Sequence, residues 1–530
     1  MDMLQTVAAV LLHRGRLPLQ QIIRFSGLKP RTVRAAIIVL VQHNILWHAQ
    51  SDAEGEVLEV NTDECLMRMR YGRYVWQAEQ LYGKAAAEIV QHIMDHGKLR
   101  PPDIVSHLSI YDPVKGPALY TQALHKLVEA SYLKPSTVLS HVSPRDKRIQ
   151  YEAEEKAKIS GFPTAKELRQ AKETADARLR REEEEAEKIG MKRKAKDHGG
   201  HRSHKRKAVE EDVVDEAVYF RVNCEKFNVH IRNKIVEDAV RERFNDHAAL
   251  VMRAALKASE TKQLKLSDLL LTSDATDPTS LAGVAAQIPE DEDLASGLAL
   301  SSSKKPSQMA LIKDYCGILA SADNPTPAGR AASFLSLTGS KLQVEFEIVG
   351  TRLRRRILEA VTREKHGDDG VRIVSLLLQT GKMDEKQISK VGMMAPKDVR
   401  PLLSAMAADS IISLQEVPKS ADRNPARTFY LWYVDLQKAY AVQLSNMYKT
   451  LYNIEMRRQT EAEEPTLKAV LDKRQRSDVS QDEERLLTRN EREMLIEWEK
   501  KREKLTVLAM RVDESVFILR DLGTFGIDTE

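Results

Sequence analysis

Residues 5–18 read QTVAAVLLHRGRLP, residues 87–100 AEIVQHIMDHGKLR, and residues 371–384 VRIVSLLLQTGKMD. Aligned on Gly15, Gly97 and Gly381, each carries apolar residues eight, four and three places before its glycine. These are Val7, Leu11 and Leu12; Ile89, Ile93 and Met94; and Ile373, Leu377 and Leu378. That spacing is one face of a helix. A glycine just beyond such a face is a C-cap that accepts a left-handed backbone. A basic and then an apolar residue follow each glycine (Arg16-Leu17, Lys98-Leu99, Lys382-Met383), as a short extended piece.

Downstream, each copy carries a second helical pattern with offsets of four, seven and twelve. It runs through Val33, Ile37, Leu40 and Ile45; Tyr120, Leu124, Leu127 and Tyr132; and Val399, Leu403, Met406 and Ile411. Between the two patterns there is room for one short helix, such as 19–25 or 385–391. Strand-like segments follow at 45–49 and 57–60, around a Glu54-Gly55 turn, and at 411–417 and 428–434. Helix, short strand, two helices and a two-stranded wing is the winged-helix pattern. A further copy is expected between residues 218 and 346, with its front helix within 231–259. There Leu311, Tyr315 and Ile318 repeat the four-and-seven spacing, but the twelfth position is Asp323.

Composition agrees with a helix-rich, multidomain chain. It has 530 residues, 42% apolar, 30% charged and only 5% aromatic. A net charge of +4 means that nucleic-acid contact requires local basic patches, not a global field. The three cysteines, Cys65, Cys224 and Cys316, lie far apart and form neither a disulfide framework nor a zinc spacing. No secretion signal or membrane-length apolar run is read, so an intracellular, soluble protein is expected.

Two stretches interrupt the repeats. Residues 143–212 hold an acidic run (Glu183, Glu184, Glu185) and two basic triplets, Lys192-Arg193-Lys194 and Lys205-Arg206-Lys207. Few large apolar residues occur, so this insert is expected to be largely disordered, with at most a solvated helix over 165–188. The triplets read equally as a bipartite nuclear-import signal or as a solvated charge run. His198, His201 and His204 lack the cysteines or rigid frame of a metal site. Residues 272–305 form a second irregular loop with an acidic cluster at 290–293. From Leu436 the pattern turns heptad-like through Tyr440, Leu444, Met447, Leu451 and Ile454. It breaks over 461–484 and resumes at Leu487, Met494, Trp498, Leu505 and Leu508, with Lys501 at one seam position. An antiparallel coiled-coil hairpin follows.

The expected fold is mainly α with small β wings: tandem, extended winged-helix domains followed by that hairpin. The expected boundaries are 1–76, 77–142, the insert 143–212, 213–346 with its long loop 272–305, 347–435, the hairpin 436–512, and a C-terminal tail 513–530.

No phosphate-binding loop, nucleophile elbow or zinc-protease helix occurs, so an enzyme is not expected, and no cofactor or metal. What remains is binding. Cations on or just before the second helices are candidate DNA or partner contacts: Lys29, Arg31 and Arg34; Lys126; Lys397 and Arg400. Arg352, Arg354, Arg355 and Arg356 form a denser cluster, too many for one helix face. Such residues neutralise phosphates without reading sequence. The class is therefore a DNA-handling subunit, a free-standing winged-helix regulator, or a scaffold whose winged helices bind only proteins.

Three strings narrow this. LVQHN (40–44), RMRYGRYVW (68–76) and LQEVPKSADRNPARTFYLW (414–432) resemble the winged-helix subunit of the three-protein initiation subcomplex of RNA polymerase III. The resemblance spans the chain from the first repeat to the coiled coil, except the charged insert. It implies four extended winged helices plus a coiled coil, kinship with the larger subunit of transcription factor IIE, and a nuclear location. It also implies a role in promoter opening and initiation. The implied partners are the other two subunits of the heterotrimer, the clamp of the largest polymerase subunit and promoter DNA, with initiation factor IIIB a further candidate. No catalytic residue is implied. Arg68, Arg70, Tyr71, Arg73 and Tyr74 suit a packed interface or a nucleic-acid edge. Arg423 and Arg427 fall in the loop of the last wing.

Overall fold

The computed structural model describes residues 3–522 except 52–54, 111–115, 160–163, 195–210, 261–262, 264–265, 267–278, 290–293, 299–306, 325, 420–427, 477–478 and 480–482. The chain divides into two compact units, Met1–Ile231 with Thr261–Lys265, and Arg232–Glu260 with Leu266–Glu530.

The first unit opens with α1 (Met3–Arg14), β1 (Leu17–Pro18), α2 (Leu19–Ser26), α3 (Pro30–Gln42), β2 (Leu46–Ser51) and β3 (Gly55–Val60). The strands form an antiparallel sheet in the order β1-β3-β2. Val7, Leu11, Ile22, Val33, Leu40 and Leu46 fill the core beneath it. Each fully buried aliphatic side chain contributes roughly 1.5–3 kcal/mol. Leu12 departs from its motif and is 57% exposed.

Helices α4 (Thr62–Met67) and α5 (Tyr71–Tyr82) lead to the second module, α6 (Lys84–His96), α7 (Pro101–Leu108), α8 (Gly116–Glu129) and β4 (Leu133–Pro135). The strand completing its wing does not follow in sequence. After α9 (Pro144–Ala157), α10 (Ala165–Lys188), β5 (Met191–Lys194) and β6 (Glu211–Val214) comes β7 (Phe220–Val222), which pairs with β4 at Leu133↔Val222. Phe220 also exchanges backbone hydrogen bonds with Leu99 at 2.8 and 3.2 Å. The boundaries expected at 142 and 213 therefore move, because the charged insert lies inside the second wing.

The insert's described part is also not largely disordered. Helices α9 and α10 pack on each other around Tyr151, Ala171 and Ala175, all buried. Arg148–Asp176 at 2.8 Å and Arg178–Glu154 at 2.6 Å cross between them. A capping box of Thr164 and Glu167 starts α10. Small residues and paired charges supply packing that hydropathy does not register. The unit ends in the first half of α11 (Cys224–Arg243).

The first two modules meet closely. The Gln42 amide donates to the carbonyls of His96 (3.2 Å) and Lys98 (2.7 Å). The Lys98 ammonium donates to Nε2 of His141 at 2.6 Å. Burial first, then Lys98 and Arg221, holds His141 down to about 4. The unfolded chain therefore takes up this proton first. The associated stability is complete above pH 6.5, falls as the pH drops from 6.5 to about 4, and is flat below. His43 and His92 are also shifted down by burial and add to the same acid limb. His141→Gln is expected to shallow the acid-side loss of the urea midpoint between pH 7 and pH 4.5. An unchanged profile would refute this assignment.

In the second unit, the rest of α11 precedes α12 (Asp246–Glu260), β8 (Thr279–Ser280), α13 (Leu281–Ala285), α14 (Gln308–Leu319), α15 (Pro327–Ala332), β9 (Leu335–Thr338) and β10 (Lys341–Val344). The sheet order β8-β10-β9 reproduces β1-β3-β2. The stretch 272–305 is thus not a single insertion: its described residues supply the first strand and second helix of the third module. Leu281 and Val284 are buried, and Tyr315 donates to the Leu294 carbonyl at 3.0 Å.

Next come α16 (Phe346–Thr380), broken where Gly367 takes a φ of +71, then α17 (Glu385–Gly392), α18 (Pro396–Ala408), β11 (Ser413–Pro418) and β12 (Thr428–Tyr433). Met383 bridges Trp432 at the edge of this ribbon, in the place β1 takes in the first module. The chain continues through α19 (Leu436–Ala462), α20 (Pro465–Arg474), α21 (Glu483–Leu486) and α22 (Arg489–Arg520). Helices α19 and α22 pair antiparallel, with Lys501 on Glu461 at 3.1 Å. The hairpin does not stop at 512. Helix α22 runs on to Arg520, and Leu519 joins Ala439 and Tyr440 in the core of the fourth module. In the charged break, Leu467 and Val470 form a small core with Leu487, Leu495 and Trp498.

All four modules end their third helix the same way. Asn44, Ser131, Ser321 and Ser410 have φ of +58, +61, +51 and +58. The next N–H reaches back five residues: Ile45 to Leu40, Tyr132 to Leu127, Ala322 to Gly317 and Ile411 to Met406, at 2.9–3.0 Å. This is a Schellman closure, whose two end residues usually make an apolar contact. The offsets of seven and twelve are those two residues. In the third copy they are Gly317 and Ala322, so its true register lies one residue before the one read from Leu311, Tyr315 and Ile318.

Candidate nucleic-acid interface

Among the sequence-derived candidates, the structure leaves one group of cations turned to solvent together. Pro30 opens α3 at its first position, and no acid occupies the first turn. Val33, Ala36 and Leu40 face the core, so Lys29, Arg31 and Arg34 are exposed, without ion pairs among the described residues. An N-terminal helical turn with free N–H groups and flanking cations attracts anions. Further along the same face, Ala35 is exposed and Ile38 is 69% exposed, so this helix carries no hydrogen-bonding set for base edges. Two cations that the periodicity did not single out lie on neighbouring α1 and α2. Arg14 stacks over the Phe25 ring at 3.8 Å, and Arg24 is exposed.

The other candidates are more isolated or already engaged. Lys126 is exposed on α8, and Lys397 is exposed beside Asp398 on α18. Arg400 is bound to Glu385 at 2.6 Å. The dense arginine cluster is engaged within its own unit. Arg352 donates to the Ala332 carbonyl at 2.7 Å and lies over Phe334, and burial brings its guanidinium down to about 10. Arg354 donates to the Gly350 carbonyl at 3.3 Å, Arg355 pairs with Glu359 at 2.8 Å, and Arg356 pairs with Glu242. Arg352 and Arg356 reach other elements, while Arg354 and Arg355 bond within their own helix, and their sequence density alone reveals neither.

Of the import candidates, Lys192, Arg193 and Lys194 lie in β5, whose backbone is paired with β6, and Lys192 binds Asp215 at 2.8 Å. Lys205, Arg206 and Lys207 lie outside the described residues, as do Arg423 and Arg427.

The string at 68–76 packs through two of its residues, while Met69 and Trp76 are exposed. Arg70 and Tyr74 are buried, and Tyr74 donates to Oδ1 of Asn228 at 2.7 Å and stacks on Phe227 at 5.4 Å. Burial is the main reason the Tyr71 hydroxyl is raised above its ordinary range. Among the described residues no group of histidines, cysteines and carboxylates could hold a metal ion, and no helix is long and apolar enough to cross a membrane.

Three family models match the chain. The RNA polymerase III subunit RPC82 helix-turn-helix domain covers residues 2–50. RNA polymerase III subunit RPC82 covers 122–333, and the POLR3C C-terminal winged-helix domain covers 358–434. Curated relatives match end to end. DNA-directed RNA polymerase III subunit RPC-3 of Coccidioides immitis is 27% identical over 96% of each chain. The RPC3 subunits of Bos taurus and Homo sapiens are each 24% identical over 98% of this chain and 95% of their own. With matched segments in the first, third and fourth modules and collinear relatives along the whole length, the chain belongs to the family of the winged-helix, third-largest subunit of DNA-directed RNA polymerase III.

Proposed function

We propose that this non-catalytic polymerase subunit holds promoter DNA through its first winged helix, docks on the clamp of the largest subunit, and assists promoter opening at small non-coding RNA genes in the nucleus. The observation that carries the DNA contact is the set Lys29, Arg31 and Arg34, all exposed around one uncapped helix start without ion pairs among the described residues. Ala35 and Ile38 on the same face give no base readout, so the contact positions the duplex rather than selecting a sequence. That also speaks against a free-standing regulator. The other two subunits of the heterotrimer and initiation factor IIIB are the further partners of this reading, and Arg423 and Arg427 remain its candidate wing contacts.

Duplex binding by the full chain, followed against salt concentration, tests the reading. Replacing Lys29, Arg31 and Arg34 with glutamine is expected to flatten the log–log salt slope by about 2.7, at about 0.9 per phosphate contact. The loss should be the same on unrelated sequences. Lys397→Gln, a single isolated cation, should change the slope by no more than about 0.9. A triple variant with an unaltered slope would remove α3 from the DNA interface.

A further inference from the structure

The ribbon of the fourth module has two unlike faces. In its register, Leu414↔Trp432 and Glu416↔Tyr430 alternate with Ser413↔Tyr433, Gln415↔Leu431 and Val417↔Phe429. Trp432 packs into the module core and its edge partner Met383 is buried there, so the first set lies on the core side, although Leu414 (43% exposed), Glu416 and Tyr430 (39% exposed) of that set also meet solvent. The second set is the outer face.

That outer face carries two rings, and each ring has a lysine over it. Lys419 Nζ lies 4.3 Å from the centroid of Phe429, and Lys382 Nζ lies 5.2 Å from that of Tyr433. A third lysine, Lys438, reaches Ser413 Oγ at 3.4 Å on the same face. Phe429 is 49% exposed, and Leu431 and Tyr433 are half-buried. No carboxylate belongs to the outer-face strand positions; Glu416 lies in the inner set. One exposed and one half-buried ring bordered by lysines, with no acid at the described strand positions of this face, are the two components of a single-strand site: π-faces for unstacked bases and cations for the backbone. A duplex, whose bases are already stacked, has no use for such rings. A protein partner would match the apolar area but leave three lysines to be desolvated, unless it were acidic.

We infer that the outer face of this wing, Phe429, Leu431 and Tyr433 with Lys382, Lys419 and Lys438, binds single-stranded DNA by stacking. The inference deepens the promoter-DNA reading and assigns the unpaired strand to a surface separate from the α3 face. Phe429 and Tyr433 stand four residues apart on one strand, roughly 13 Å, which leaves room for more than one nucleotide between them.

The test uses the full chain, a fluorescent 20-mer of mixed sequence as single strand and the same sequence as duplex. Phe429→Ala is expected to weaken single-strand binding about tenfold, within the range of one lost base stack, and to leave duplex binding unchanged. Phe429→Tyr should restore it, since a ring and not a particular side chain is required. Tyr433→Ala should act in the same direction. Hydrogen exchange of β11 and β12 reports whether each variant keeps its ribbon. Single-strand affinity that is indifferent to Phe429, or equal losses on single strand and duplex, would overturn the inference. Loss of polymerase association with single-strand affinity intact would assign the face to a protein instead. If the wild-type chain binds duplex through α3 but not the single strand, this inference fails and the promoter reading stands. If it binds neither, both fail.

Discussion

Gly97→Ala is expected to destabilise the first unit by about 3–5 kcal/mol, combining backbone strain with overpacking. Gly97 ends α6 with φ +86 and ψ −62, a conformation that L side chains rarely adopt. A Cβ placed there would also lie 2.4 Å from the Gln42 carbonyl oxygen and 3.1 Å from His43 Cα. The obstacle is backbone, so no rotamer change relieves it. Gly15 is the internal control: it closes the same helix in the first module with φ +79, but nothing lies within 4 Å of its added Cβ. Gly15→Ala should therefore cost only the left-handed penalty, about 1–2 kcal/mol. Hydrogen exchange of α3 and α6 in the full chain separates the two. Loss of protection in both helices is expected for Gly97→Ala, because the Gln42 bonds to His96 and Lys98 cannot survive the shift. Equal costs at the two glycines would refute the close approach.

Tyr74→Ala is expected to be of similar size, about 3–5 kcal/mol, the range for emptying a large buried aromatic site. Tyr74 is fully buried on α5 against Phe227, and its hydroxyl serves Asn228, itself 3% exposed. Tyr74→Phe keeps the stack and removes only the donor, so about 1–3 kcal/mol should be lost, the cost of a buried acceptor left without its partner. Urea unfolding of both variants orders the two terms. If Tyr74→Phe were as damaging as Tyr74→Ala, the hydroxyl rather than the ring would hold α5 to α11. The string around Tyr74 would then be a polar lock and not a packing element.

These two sites show how far periodicity reached. The spacing that identified Gly97 as a helix stop was the same as for Gly15 and Gly381, and φ is positive at all three. Nothing in that spacing distinguishes the one glycine pressed against another module. Likewise RMRYGRYVW reads equally as an interface or a core until Phe227 and Asn228 come beside it from residues 150 positions away. The α3 cations were legible because an amphipathic helix fixes which side chains point outward. The engagement of Arg352 and Arg356 was not, because their partners Ala332, Phe334 and Glu242 come from other elements.

The repeat itself divides in the same way. Three modules could be read from local pattern, since a helix face, its C-cap and a Schellman closure each depend on residues within twelve positions of one another. The third copy was expected between 218 and 346, but its register could not be read, because Gly317 and Ala322 close its helix through backbone hydrogen bonds that need no apolar pair. Nor could the course of the second wing be read, because β4 and β7 find each other across more than eighty residues and only pairing in space joins them. The sequence alone determined that this chain is an array of winged helices ending in a helical hairpin, because short-range periodicity encodes helices and their stops. Only the tertiary structure decided which cations stay exposed and which already bind the protein itself, because that depends on the charges and carbonyls the fold brings within reach.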